Sequence, residues 1–308
     1  MSDPTLSWNL VSDVGALFEY QFMVNALEAG TIVAMTAGVV GWYMVLRRQS
    51  FAGHTIAVMS FPGAAGAALA GVPSVLGYYL ACGIAALSIG RAGGPAPRGR
   101  SGESAAIGVV QVAGLALGFL FLSLYSGVLE GLDTLLFGTF LGIDRNQVLT
   151  LGIVAIVVLA ALAVLGRPLL LASLDPEVAR ARGIPVRALD VGFLLILGLA
   201  VAATSQITGA LLVFALLVAP PAAAQALTPR PVLSLVLSVS FALLVTWVGL
   251  AISYYSIYPL GFFISSLAFA LYAVARLARH VGGRFALEAP SNAPHDVPPH
   301  EPAPAAVV

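Results

Sequence analysis

The sequence predicts an all-α polytopic membrane protein with eight or nine transmembrane helices, and three observations carry that prediction. Hydrophobic residues make up 59% of the 308-residue chain and charged residues only 9%, against about 25% charged in an ordinary soluble domain. So few charges cannot cover a water-facing surface, so most of the chain faces lipid or other apolar helices. The apolar residues are also gathered into runs close to the roughly 20 residues that a hydrocarbon core of about 30 Å requires. Finally, the arginines fall almost entirely on alternate connections between those runs.

Nine runs can be marked, at 22–46, 54–72, 74–90, 105–125, 147–165, 188–204, 206–227, 231–250 and 259–277. The run 74–90 is short, and 54–72 is interrupted by Pro62, which supplies no backbone donor. The stretch GAAGAALAG at 63–71 is built of small residues, which let helix backbones approach closely where no hydrophobic force joins them. Residues 91–104 read as a flexible loop, and 129–143 as an amphipathic piece that lies in the interface or re-enters. Pro220-Pro221 inside VFALLVAPPAAAQAL removes two donors and predicts a kink or a broken helix. The chain thus divides into an N-terminal segment 1–21, a transmembrane region 22–278 and a Pro/Ala-rich tail 279–308 that reads as disordered.

With nine spans and the N-terminus outside, one side holds Arg47, Arg48, Arg91, Arg98, Arg100, Arg167, Arg180, Arg182, Arg187, Arg230, Arg276, Arg279 and Arg284, and only Arg145 lies on the other. Positive residues concentrate on the cytoplasmic side, so the tail is expected in the cytoplasm of a cell-membrane protein. Residues 1–20 carry Asp3, Asp13 and Glu19 and no basic residue, the reverse of a signal peptide.

Several function classes are excluded. There is no lysine, which every P-loop needs to reach the phosphates, so the chain is not itself a Walker-type ATPase. A single cysteine, Cys82, allows neither a disulfide framework nor a cysteine metal cage. Zero net charge argues against a nucleic-acid partner. No H-E-x-x-H, G-x-S-x-G or C-x-x-C occurs, three of the four histidines lie beyond the last run, and no aspartate is assigned to a span. An enzyme is not expected.

The connection 166–190 is the longest charged stretch between runs. Asp175 can cap a helix, Pro176 suits its first position, and Glu177 complements the positive helix end. Gly183 is a natural stop before Ile184-Pro185. A helix of about two turns follows, either a plain connector or a docking element for a cytoplasmic partner.

The strings LRRQSFAGHTIAVMSFPGAA, LLLASLDPEVARARGIPV, ITGALLVFALLVAPPAAA and SYYSIYPLGFFI, in that order, resemble permeases of the zinc/manganese/iron uptake family of ABC transporters over residues 22–278. The resemblance implies a type II ABC-importer-like permease that works with a second copy of itself in the lipid bilayer. It also implies a pair of cytoplasmic ATPases below and an extracytoplasmic metal-binding protein above. ATP then acts only through the partner ATPase, and the metal is cargo rather than a permanent cofactor. Asp175, Pro176, Glu177, Ala179 and Gly183 match the family's coupling segment, about 166–188.

One place departs from the family pattern. Relatives carry an aspartate after Gly53 and a histidine four residues later, a spacing that shares one helix face. Here His54 and Val58 stand in those positions, with the soft thioether of Met59 next door. Two His54 copies in a dimer could supply two imidazoles; a hydrogen bond to a neighbouring carbonyl is the structural alternative. Glu28, near the outer end of the first run, either attracts cations or simply reaches the interface. Pro62 marks the family's pathway span, and Gln206, with Thr208, could line a gate. His295, Asp296, His300 and Glu301 could hold zinc weakly in the tail. The expected function is the permease of an ATP-driven importer for a divalent transition metal, zinc first, working by alternating access. Manganese, iron or a metal chelate are alternative cargoes, and an ATP-independent transporter is the alternative class.

Overall fold

A computed structural model describes residues 15, 18, 20–92, 100–125, 142–256 and 258–288. Their regular structure is helical: α1 Gln21–Leu46, α2 Ser50–Val58, α3 Ser60–Leu69, α4 Ser74–Ala92, α5 Arg100–Leu124, α6 Arg145–Leu174, α7 Pro176–Ala181, α8 Val186–Leu227, α9 Pro231–Tyr254 and α10 Leu260–Glu288. Among the described residues seven segments are long and apolar enough to cross a membrane, and Leu212–Leu227 is a shorter apolar helix.

Side-chain bonds between helices fix their directions. α1 and α6 run side by side the same way, because Asn25 donates to the Ile143 carbonyl (3.0 Å) at one end and Arg47 to Ser173 (3.1 Å) at the other. α9 runs against α1. Trp247 bonds Thr31 (3.0 Å), Ser238 donates to the Gly38 carbonyl (2.7 Å), and Trp42 donates to Ser234 (3.0 Å). The end of the bundle that holds Arg47 also gathers Arg48, Arg91, Arg180, Arg182, Arg187 and Arg230. Arg145 stands at the opposite end, bonded to Glu28.

Helix α8 is two helices joined at a reversal. Asp190 near its start bonds Arg47, and Gln225 near its finish donates to the Trp42 carbonyl (2.8 Å). Between them the chain runs outward along α4, past Cys82 at Gly198 and Tyr79 at Gln206. Arg47 and Trp42 lie only five residues apart on α1, so the chain must turn back. It does so at Gly209 (φ 73°, ψ 159°), a conformation open in practice to glycine alone. The expected spans 188–204 and 206–227 are therefore the two arms of one reversal. The break was expected at Pro220-Pro221, but the backbone stays helical through both prolines. They pack the returning arm instead, with Pro221 and Leu217 tight against Gly41.

Other boundaries move as well. The expected span 54–72 starts earlier, and its break falls at Met59 rather than Pro62. Pro62 cannot donate to the carbonyl of Val58, so the ladder opens one turn ahead of the proline. α6 continues to Leu174, nine residues past the expected 165, with Pro168 inside; Leu169 and Ala172 are buried there, and that packing outweighs one lost bond. α4 ends at Ala92, α5 starts at Arg100 and α10 continues to Glu288, so both ends of the expected loop 91–104 and the first ten residues of the expected tail are helical. Most of the amphipathic piece 129–143, residues 93–99 and the tail histidines lie outside the described residues. Helix–helix contact rests on small residues as expected: any Cβ on Gly63 would overlap the Gly77 carbonyl.

Candidate functional site

The segment 175–184 folds by local rules. The Asp175 side chain accepts from the backbone N–H groups of Glu177 (3.1 Å) and Val178 (3.0 Å), satisfying two donors that a helix start leaves orphaned. Pro176 occupies the first helical position, and Glu177 sits exposed in the first turn. At the other end Ile184 N–H bonds the Ala179 carbonyl (3.0 Å) and Gly183 N–H that of Arg180 (2.9 Å). This is a Schellman stop, with Gly183 at φ 75°. Ala179 is fully buried while its neighbours are exposed, so one methyl seats α7 on the bundle and the rest of the helix faces outward.

Beside α7 lies a cluster that the sequence reading passed over. Arg47 bonds Asp190 and Ser173, and its guanidinium lies 5.3 Å from the centre of the Phe193 ring. Asp190 had been assigned to the loop; it sits inside α8, within the expected span 188–204. Burial works against the charge on Arg47 and lowers its pKa, while Asp190 pulls it back up. A lone aspartate inside an apolar run was the available signal, with an arginine at the end of another run as its partner.

The α2–α3 stretch holds the remaining candidates. On α2, Ala52, Gly53, Thr55, Ile56 and Ala57 are buried, whereas Phe51 is exposed and His54 and Val58 are half-buried. Positions 51, 54 and 58 share one face, so the stripe expected to carry ligands is the stripe that packing within the chain leaves uncovered. The other faces are pinned. Thr55 donates to Gln111 on α5 (3.0 Å), and the Cys82 thiol donates to the Ile56 carbonyl (3.4 Å). The His54 ring lies 4.6 Å from Phe214 on the returning arm of α8. Its Nδ1 is buried without a hydrogen-bond partner, so the carbonyl bond considered above is not made at that atom. Met59 is buried at the joint against Gly114 of α5, and Pro62 is buried in the first turn of α3.

The other two candidates lie apart from this stripe. Glu28 accepts a bond from Arg145 at the far end, which explains the one arginine outside the basic side. Gln206 donates to the Ala202 carbonyl (3.0 Å) and lies beside Tyr79 near the Gly209 reversal. Among the described residues no three His, Cys, Asp or Glu side chains converge to hold a metal. What the fold provides is an uncovered face on α2 and a short capped helix, largely exposed, at the basic end.

A multi-span helical bundle with a short capped helix on its basic end fits the membrane permease of a transporter. The chain belongs to the ABC 3 transport family, whose model matches residues 19–279, and it is a metal ABC transporter permease. It is 32% identical to a manganese transport system membrane protein, MntC, of Halalkalibacterium halodurans, over 87% of this chain and 90% of that one. A probable iron transport system membrane protein of Haemophilus influenzae is 27% identical over 83% of this chain and 93% of its own. The solved structure of PsaBC from Streptococcus pneumoniae in complex with Fab superposes with a TM-score of 0.75 at 25% identity, covering 86% of this chain and 95% of that one.

Proposed function

We propose that this chain imports a divalent transition metal by alternating access as a homodimer, with ATP hydrolysed by cytoplasmic ATPases docked on α7. The observation that carries this reading is the α7 helix. It is capped at both ends, seated by the single methyl of Ala179, and otherwise exposed at the basic end of the bundle. The basic end is then cytoplasmic, the N-terminal segment and a metal-delivering protein lie outside, and the C-terminal end of α10 lies inside.

The uncovered stripe of Phe51, His54 and Val58 is assigned to the pathway, facing its copy in the second subunit. Two imidazoles would meet the metal there, with no tight cage to slow its release. Zinc was the sequence expectation, favoured by the imidazole. The relatives are named for manganese, iron and chelated iron, and one imidazole weighs less than those names, so manganese becomes the first choice.

The test is uptake into liposomes holding this chain with its ATPase and binding protein. ATP-dependent manganese uptake, competed by iron more strongly than by zinc, is the expected result. Uptake that proceeds without ATP or without the ATPase would return the chain to the secondary-transporter class.

A further inference from the structure

We propose that Arg47 is the positioning residue through which movement of α7 reaches the α1–α2 joint, and through it the His54 stripe. The proposal rests on the reading of α7 as the docking helix.

Arg47 touches three elements at once. It donates to Ser173 at the end of α6 (3.1 Å), bridges to Asp190 on α8, and lies over Phe193 of α8. Its side chain is only 6% exposed, while Asp190 is 41% exposed. The charge of Arg180, on α7 itself, also acts on Asp190. A shift of α7 therefore changes the field at the carboxylate that holds Arg47, and α6 feeds directly into α7 through Asp175.

On its other side Arg47 is bonded in sequence to the joint. α1 ends in the same motif that ends α7: Gln49 N–H bonds the Met44 carbonyl and Arg48 N–H that of Val45, both 3.0 Å. The left-handed position, usually glycine, is taken by Arg48 at φ 57°. A non-glycine residue keeps that conformation only where its surroundings over-determine it, and the clamp on Arg47 is the adjacent restraint. Release of the clamp frees the joint, and α2 starts two residues later.

The cluster has the marks of a two-position element. Arg47 Nε is buried with no acceptor, and the Gln49 side-chain oxygen is buried with no donor. Both residues line a polar cavity of about 810 Å³ together with Arg48, Arg187, Asp190 and Pro176. Buried polar groups are nearly always paired. A turn of the joint into that space, bringing Nε–H to the Gln49 oxygen, would satisfy both at once. Asp190 would then be left to the exposed Arg180 and Arg187. The element thus has one arrangement held by Asp190 and a second held by Gln49.

The experiment uses the complete complex of this chain with its ATPase and binding protein in liposomes. It reads manganese uptake per ATP hydrolysed and the spin-label distance between Phe51→Cys and Arg182→Cys. Cys82 is buried, so labels report from the introduced sites. For Arg47→Gln the expected result is an assembled complex that still hydrolyses ATP, with uptake per ATP reduced about tenfold, within the usual range of coupling energies. The ATP-driven change in the α2–α7 distance is lost. Arg47→Lys, and the exchange Arg47→Asp with Asp190→Arg, should restore part of the ratio. A purely structural role would lower uptake and hydrolysis in the same proportion and leave their ratio unchanged, which would overturn the proposal. If Arg47→Gln does not assemble, Asp190→Asn decides from a residue outside α7: a fall in the ratio of about fivefold supports the clamp, and an unchanged ratio removes it. A wild-type complex without ATP-dependent uptake would instead sink the docking reading on which the clamp depends.

Discussion

Two helices in this protein end with the same hydrogen-bond pattern and opposite residues at its key position. α7 stops at Gly183, φ 75°, and α1 stops at Arg48, φ 57°. Glycine enters the left-handed region at no steric cost, whereas a residue with a Cβ pays about 1–2 kcal/mol. The first stop is therefore encoded locally and would form in almost any context. The second is imposed by tertiary contacts, the Arg47 clamp foremost among them, and it sits where the chain enters the pathway helix. On the proposed roles, the difference separates a docking peg, whose stop is built in locally, from a joint, whose stop depends on its surroundings.

The largest test addresses the peg. Glu177 is exposed in the first turn of α7 and its side chain makes no hydrogen bond in this chain's described residues. Glu177→Ala should leave thermal stability unchanged and reduce uptake per ATP about tenfold, the scale of an interface residue that costs more than about 1 kcal/mol when truncated. Normal coupled uptake in that variant would strip α7 of the docking role and reduce the comparison to two loops.

Next comes the helix that the joint would move. His54→Gln keeps a polar side chain beside Phe214 but removes the imidazole ligand. Manganese uptake should fall about threefold to tenfold with the melting temperature within a few degrees of wild type, an effect on cargo rather than on packing. Unchanged uptake would make His54 a packing residue and leave the stripe without a metal contact. Placing histidine at Val58 tests the same face from the other direction, since positions 54 and 58 lie one turn apart. His54→Asp with Val58→His keeps one imidazole and adds a carboxylate, so it should raise manganese uptake relative to zinc.

How far each region could be read from sequence follows the same division. The peg was legible almost to the residue, because Asp175, Pro176 and Gly183 act on their own backbone within a few positions. Most spans, and the gathering of arginines at one end of the bundle, were legible because lipid imposes length and alternate connections share an end. The interior of the pathway helix was not. Its break falls at Met59 because a proline acts on the carbonyl four residues back, and its uncovered stripe is defined by neighbours distant in the chain, Cys82, Gln111 and Phe214 among them. Gly209 looked like one of many glycines until its two arms were seen against Tyr79 and Trp42. The Arg47–Asp190 clamp was missed because each partner, taken alone, has an ordinary reading as a helix-end charge.

The finer tests exchange the two stops. Gly183→Ala places a Cβ in a left-handed position with open space around it, so the cost is the backbone penalty alone. α7 should lose about 1 kcal/mol of local stability, seen as faster amide exchange at Ile184 and Gly183, with little change in global melting.

Arg48→Gly is the reverse exchange and has the smaller, opposite effect. It relieves about 1–2 kcal/mol of left-handed strain but loosens the unfolded chain, which offsets about 0.5–1 kcal/mol. The net gain should be under about 1 kcal/mol, a rise of a few degrees at most in a chain of this length. If strain at the joint serves the mechanism, this slightly more stable variant should couple less well, with hydrolysis continuing while uptake per ATP drops. A variant that melts lower would show instead that the Arg48 side chain is held by the cavity it lines. The left-handed turn would then be a consequence of that side chain rather than a reserve for movement, and the likeness between the two stops would be one of geometry alone.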